Sequence, residues 1–419
     1  GGKTVEDTIT DRSAALISIA LPTPWGRFRL DQEWHENRLP FPFGTVYANQ
    51  QFWFDHSYND RVKNTAKRAT SRQEFQWEFK PAPDTQWMLY HQHAHTQRDE
   101  QLVGFSSFTA SAPATTLDGY LRPITEDFTQ RDSGLRLELK KKWGDWTHDL
   151  TLLTQWHEQQ LDAVVPQNYN FNGNGFLLDI ANPVFPEDIS QYPLTPSWQY
   201  ERLSERAQAI SDVMRYGSWD IRWGLRNAEV MVGSTRLYNQ EIPVVAHDTT
   251  VSPSLGIGYR LNQAHRVWWT QSQAYLPNRF KDAQGEFLPV KRSRQNELGW
   301  QWQAAPLALG VSAFELVQSD LPGRDPQNKT AYILIGKTRS TGIESRLQWQ
   351  QGAWQVKWTH TSMDARVQQA TSVGQGEYLP GTPDQYGSAK LEYAASPALQ
   401  IWLGVQYSGD RPGDAKASF

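Results

Sequence analysis

Residues 72–80 set Phe75, Trp77 and Phe79 in alternation with Glu74, Gln76, Glu78 and Lys80. Side chains on an extended strand point alternately to opposite faces, so a period of two predicts a strand with one greasy and one polar side. The pattern recurs along the chain. Phe28, Leu30 and Trp34 oppose Arg27, Arg29, Asp31 and Glu33. Leu135, Leu137 and Leu139 oppose Arg136, Glu138 and Lys140, and Leu298, Trp300 and Trp302 oppose Glu297, Gly299 and Gln301. Such strands suit a wall between oil and water.

The strands come in pairs closed by turn chemistry. Turns are expected at residues 21–26, 81–85, 143–146, 217–218, 262–264, 304–306, 351–352 and 396–397. Polar segments near residues 37–70, 98–131 and 159–202 lie between the pairs and read as long loops. The count is about eight hairpins and sixteen strands, most about 9–12 residues long, the span of a tilted strand across a bilayer. Turns of about 2–5 residues alternate with connections of about 12–45. Together these predict an all-β fold: a transmembrane antiparallel up-and-down β-barrel with short periplasmic turns and long extracellular loops. A soluble β-propeller is the rival, but it needs four strands per repeat of about 40–50 residues, and no such repeat is found.

Composition sharpens this in one respect. Aromatic residues make up 12% of the 419-residue chain, including 19 Trp. Trp25, Trp143, Trp146, Trp219, Trp302 and Trp354 stand beside short turns, where a membrane–water belt forms. Mean hydropathy is only −0.65, and no apolar run reaches the roughly 18 residues of a spanning helix. A barrel wall escapes such averages because half of each strand is polar. The net charge of −4 gives no case for nucleic acid, and with no cysteine there is neither a disulfide framework nor a thiolate metal site. No Gly-rich phosphate loop, HExxH or nucleophile elbow is present, so no catalytic site or cofactor is expected. His91, His93 and His95 share one strand face at a spacing that suits a metal ion, but also a polar strand near a barrel rim. The alternation around residues 136–142 reads as lumen lining.

Five stretches add a resemblance. Pro277-Asn278-Arg279, then Gly285 through Arg294-Gln295-Asn296-Glu297-Leu298-Gly299, is similar to a "PN…G…P…RQ-ELG" segment, with Val290-Lys291 where Glu-Lys is usual. Residues 338–344 (Thr-Arg-Ser-Thr-Gly-Ile-Glu) resemble "R-S-x-G-(V/I)-E", and residues 404–411 resemble "GV-Y-GDR". Residues 251–259 resemble "SP-LG--Y", and residues 179–185 resemble an "NPVYG" loop motif. Taken in their order along the chain, the five resemble the TonB-dependent siderophore receptors of Gram-negative outer membranes, and the stretch at residues 179–185 resembles a motif common in the ferrichrome-like hydroxamate branch. The earlier part of the chain matches in pattern alone.

The resemblance implies a barrel of about 22 strands around an N-terminal plug. Residues 1–419 are then expected to be a partial barrel, with the plug, the TonB box, the first strands and the last strands lying outside. The implied function is outer-membrane uptake of a ferric siderophore, energised through TonB by way of the missing N-terminal region. The implied partners are outer-membrane lipid, the ferric siderophore as cargo, and TonB. Receptors of this family grip the chelate with aromatic side chains, which bury much area at low entropic cost. Candidates are Phe105, Phe108 and Tyr120 in one loop, and Tyr169, Phe171, Phe176, Trp198 and Tyr200 in the longest. No family motif pins these positions. A passive porin-like or adhesive barrel needs neither plug nor TonB box and stays open as an alternative. So does a soluble Trp-rich carbohydrate-active β-protein.

Overall fold

Alternation of greasy and polar positions gives every strand two dissimilar faces, and neighbouring strands must agree on which face is which. The computed structural model shows how they do. It describes residues 11–40, 46–48, 51–53, 65–108, 116–166, 176–182, 184, 196–236, 244–324, 331–369, 377–379, 381–396 and 399–411. Nineteen strands and no helix occur among them.

The meander opens with β1 (Asp11–Thr23) and β2 (Gly26–Pro40). A small separate hairpin, β3 (Val46–Ala48) and β4 (Gln51–Trp53), interrupts it. It continues through β5 (Thr65–Ala82), β6 (Thr85–Phe108), β7 (Thr116–Trp143) and β8 (Trp146–Pro166). The four-residue β9 (Phe176–Asp179) lies on the upper end of β7. Then come β10 (Pro196–Tyr216), β11 (Trp219–Arg236), β12 (Val244–Arg260), β13 (His265–Leu276) and β14 (Lys291–Ala304). The last are β15 (Leu307–Arg324), β16 (Tyr332–Gln351), β17 (Trp354–Gln369), β18 (Gln385–Ser396) and β19 (Leu399–Ser408). Seventeen strands form one sheet. Setting β9 aside leaves the sixteen wall strands that the pattern predicts. Each pairs antiparallel with the next wall strand in the chain, from β1 to β19.

The register keeps one apolar face continuous. Trp87 stands opposite Leu137, Leu137 opposite Leu152, Leu152 opposite Ile210, and Ile210 opposite Leu225. These side chains are exposed or half-buried rather than packed into a core. Trp143, Trp156, Leu298 and Ile343 are each at least half exposed on the same side. This is the lipid-facing side. On it, rings pair at the turn end: Trp146 with Tyr216 at 5.1 Å, Trp219 with Tyr259 at 4.5 Å and Trp354 with Tyr393 at 4.4 Å. Turns here are as tight as two residues, and Gly217 adopts a φ of 54° that a Cβ would strain.

The opposite face is polar and faces the lumen. Arg72 donates to Glu74 at 2.8 Å and to Gln92 at 3.2 Å, Arg136 pairs with Glu138, and Arg266 donates to both oxygens of Asp220 at 2.8 Å. Several rings lie flat along this face. The Tyr90 ring covers Gly134 and the Trp268 ring covers Gly299, where a Cβ would collide with the ring in each case.

The strands run further than the alternation predicts. Most have 14–28 residues, and the segment 98–131, expected as a loop, is mostly β6 and β7, with residues 109–115 alone between them. The cause is solvent. Above the hydrocarbon both faces meet water, so the hydrophobic period disappears while the ladder continues. There Arg98 bridges Glu100 and, at 3.0 Å, Glu126.

Candidate functional site

The loop end of the lumen is built around residues 277–290, the segment that carries the "PN…G…P" resemblance. It folds back on itself instead of standing free. Leu288 N–H donates to Phe280 O at 2.9 Å, Lys281 bridges Phe287, and Asn278, 5% exposed, donates to Pro289 O at 3.2 Å. Asp282 Oδ1 accepts the N–H groups of Gln284 and Glu286 at 2.9 Å, a local carboxylate turn. The ends are tied as well: Val290 N–H donates to Asp248 at 3.3 Å, and Tyr332 N–H to Lys281 O at 2.9 Å.

The loop leans over the lumen toward β8 and β10. Arg279 donates to Gln159 and lies 3.7 Å from Glu201, both on the lumen face. Phe287 and Tyr275 pack on Leu203, Val230 and Val232, a small apolar cluster on that face. Phe280, 40% exposed, stacks on Tyr332 at 4.2 Å, and Lys281 sits 5.2 Å from the Phe287 ring centre. The loop thus presents aromatic area and cations above the lumen on one side of the wall.

Beneath it runs a connected polar ladder. Arg226 donates to Gln155 at 3.1 Å and to Glu205. Gln155 donates to both oxygens of Asp132 at 3.1 and 3.2 Å, and His157 lies 4.0 Å from Asp132. Nearer the turns, Glu297 of the "ELG" stretch accepts from Trp268 Nε1 at 3.3 Å. Glu344 of the "R-S-x-G-(V/I)-E" stretch stands opposite Ser312 on the same face. Paired charges and satisfied amides make a hydrated surface that can bind by hydrogen bonds, and no nucleophile–base pair stands out in it.

The sequence candidates are scattered. Phe105, Phe108 and Tyr120 lie on strands β6 and β7, not in a loop. Tyr169 and Phe171 lie outside the described residues. Phe176 on β9 is buried over Gly119. Trp198 and Tyr200 belong to β10, on the same face as Ile210, and therefore point away from the lumen. His91, His93 and His95 also stand on the lipid-facing side, with Trp87 and Leu89. His91 contacts Ser133 at 2.8 Å and His95 contacts Thr129 at 3.3 Å. Among the described residues no three His, Asp or Glu side chains converge to hold a metal ion. Sequence reasoning passed over Phe280 and Arg279. The signal was the composition of residues 277–290: Pro, Asn and Gly punctuating two phenylalanines and two cations.

Comparison with known proteins agrees with this geometry. The family model described as "TonB dependent receptor-like, beta-barrel" matches residues 20–419. The metal-pseudopaline receptor CntO of Pseudomonas aeruginosa is 23% identical over 418 residues, covering 91% of this chain and 56% of that protein. The ferrioxamine B receptor of Salmonella typhimurium is 21% identical over 241 residues, covering 55% of this chain and 33% of its own length. Among solved structures, the siderophore receptor PiuA of Acinetobacter baumannii superposes with a TM-score of 0.81 at 14% identity, over 100% of this chain and 67% of that one. The ferric preacinetobactin receptor BauA of the same species gives 0.79 at 14% identity, over 97% and 63%. At these identities the superpositions carry the fold. The chain spans about half the length of the metal-pseudopaline receptors it matches.

Proposed function

We infer, from the premise that this chain belongs to the TonB dependent receptor-like β-barrel family and lies in a Gram-negative outer membrane, that the full-length protein imports a metal chelate. The observation that supports this most directly is the family match along residues 20–419, together with a charged lumen face beneath an inward-folded loop. The protein works as a receptor and transporter, not as an enzyme.

The finer reading is a ferric siderophore of hydroxamate type, taken up at the cost of energy delivered by TonB to a plug that precedes this wall in the chain. Two things support it. The stretch at residues 179–185 resembles a loop motif of the hydroxamate branch, and matched relatives include receptors for ferrioxamine. A relative for metal-pseudopaline supports a wider class of metal chelate. In this reading the cargo meets Phe280 and Arg279 in the upper lumen.

The test is uptake of radioactive iron as ferrioxamine B and as ferrichrome by iron-starved cells, with and without the intact gene. Loss of uptake on deletion, restored by the gene but not by a copy lacking the region upstream of residue 1, is the expected result. Uptake that survives loss of TonB would return the passive-barrel alternative.

A further inference from the structure

Several lumen arginines near the turns have a carboxylate each. Arg215 donates to Asp149 at 2.6 Å, Arg29 lies 2.7 Å from Asp31, and Arg136 pairs with Glu138. Between β11 and β16 the match fails. Three guanidiniums, Arg222, Arg266 and Arg346, line one recess of the lumen face, and Asp220 is the only carboxylate that lines it with them. Arg266 Nη2 donates to both oxygens of Asp220 at 2.8 Å. Arg222 Nε is left 3.5 Å from the same group, with its side chain 57% exposed. Arg346 is exposed and donates to an amide, Gln301 Oε1, at 3.3 Å. It has no carboxylate partner among the described residues. Glu344 stands one tier higher on β16, and Glu297 is engaged by Trp268 Nε1.

Glycines make the room. Gly258 stands opposite Asp220, Gly256 opposite Arg222 and Gly310 opposite Arg346. A Cβ at Gly258 would fall 2.9 Å from Arg266 Nη2, and one at Gly310 would fall 2.7 Å from Arg346 Nε. The charged heads therefore lie along the wall, around a recess of about 240 Å³. Arg266, Arg222 and Arg346 stand one, three and five residues inside the turn ends of their strands. The recess is thus at the end of the lumen opposite Phe280, apart from the cargo site proposed above.

Three cations around one anion leave two positive charges uncompensated, and a walled recess focuses their field on an incoming anion. Asp220 shows which anion this wall accepts: two oxygens in a plane, the shape a guanidinium matches. We propose that the recess is a binding site for a second carboxylate, held by Arg346 and Arg222 over the floor that Gly258 and Gly310 leave open. Two sources present that group inside a lumen: an aspartate or glutamate from chain outside residues 1–419, and a carboxylate carried by the cargo. The chemistry is the same, and the experiment separates them.

The test uses the full-length protein in detergent, in two variants, Arg346→Lys and Arg222→Lys. Each keeps the positive charge and supplies an amine. A water-soluble carbodiimide joins that amine to a carboxylate in contact with it as an amide, taking up the released water to become a urea. Mass spectrometry of tryptic peptides then identifies the partner, with and without ferric citrate. The expected result is that both variants capture one and the same carboxylate from outside residues 1–419, about tenfold more than Ser388→Lys does on the same face. An aspartate or glutamate captured without ferric citrate supports the proposal and names the chain as the source; citrate captured after its addition supports it and names the cargo. Capture of Asp220, Glu344 or other carboxylates of residues 1–419 alone, under both conditions, overturns it. So does capture of unrelated partners by the two variants, or equal capture by Ser388→Lys.

Discussion

The turn end and the loop end of this wall are made from the same strands and obey different rules. On β7 and β8 the turn end carries Leu137, Leu139, Leu150 and Leu152 toward the outside, while Asp127, Thr129, Gln160 and Asp162 occupy that same face further up. Nothing in the backbone ladder marks the change. Hydrogen bonding alone holds a β-strand in either solvent, and the side chains record which solvent is present. The lumen face differs again: it carries charged and polar side chains at both the turn end and the loop end, interrupted by the small cluster of Leu203, Val230 and Val232.

The sharpest way to break this comparison is to put a charge on each half. Leu152→Arg places a guanidinium in the apolar band and should cost about 2–4 kcal/mol of folding stability in lipid vesicles, whereas Thr129→Arg, on the same face but higher, should cost about 0–1 kcal/mol. Equal costs would mean that the band is not in hydrocarbon. The second test moves to the lumen face. Gly299→Ala adds a Cβ where the Trp268 ring lies, pushing the ring off its hydrogen bond to Glu297. A loss of about 1–3 kcal/mol, typical of overpacking, is expected in urea unfolding.

The smallest effect lies at the turn itself. Lys141, with help from Thr85, holds the exposed Asp84 carboxyl below its ordinary value. A depressed carboxyl favours the fold above its ordinary range and loses that contribution as pH falls through the lowered value. Titration of the Asp84 carboxyl by NMR should show the downward shift, and Lys141→Met should remove most of it.

The sequence made the lower half of the wall readable because lipid imposes a period of two that composition cannot fake. The sixteen wall strands and the turns around Gly144, Gly217 and Asn262 follow from it. The upper half was opaque for the same reason. Between Arg98 and Arg131 apolar and polar residues no longer alternate strictly, so the strands look like loop. The outward aim of Trp198 and Tyr200 was recoverable by counting in twos from Ile210, but only once that strand was known to be unbroken. The inward fold of residues 277–290 rests on contacts to Gln159 and Glu201, more than seventy residues away in the chain, and no local pattern announces them.

The rings laid over Gly134 and Gly299 set the texture of the bore. An aromatic that stood upright would be a peg, and any body seated inside would need a matching hole cut for it. Pressed flat against residues without side chains, Tyr90 and Trp268 leave low relief. Whatever occupies or traverses the bore past them meets planed surfaces, over which it can shift without first unthreading from interlocked side chains.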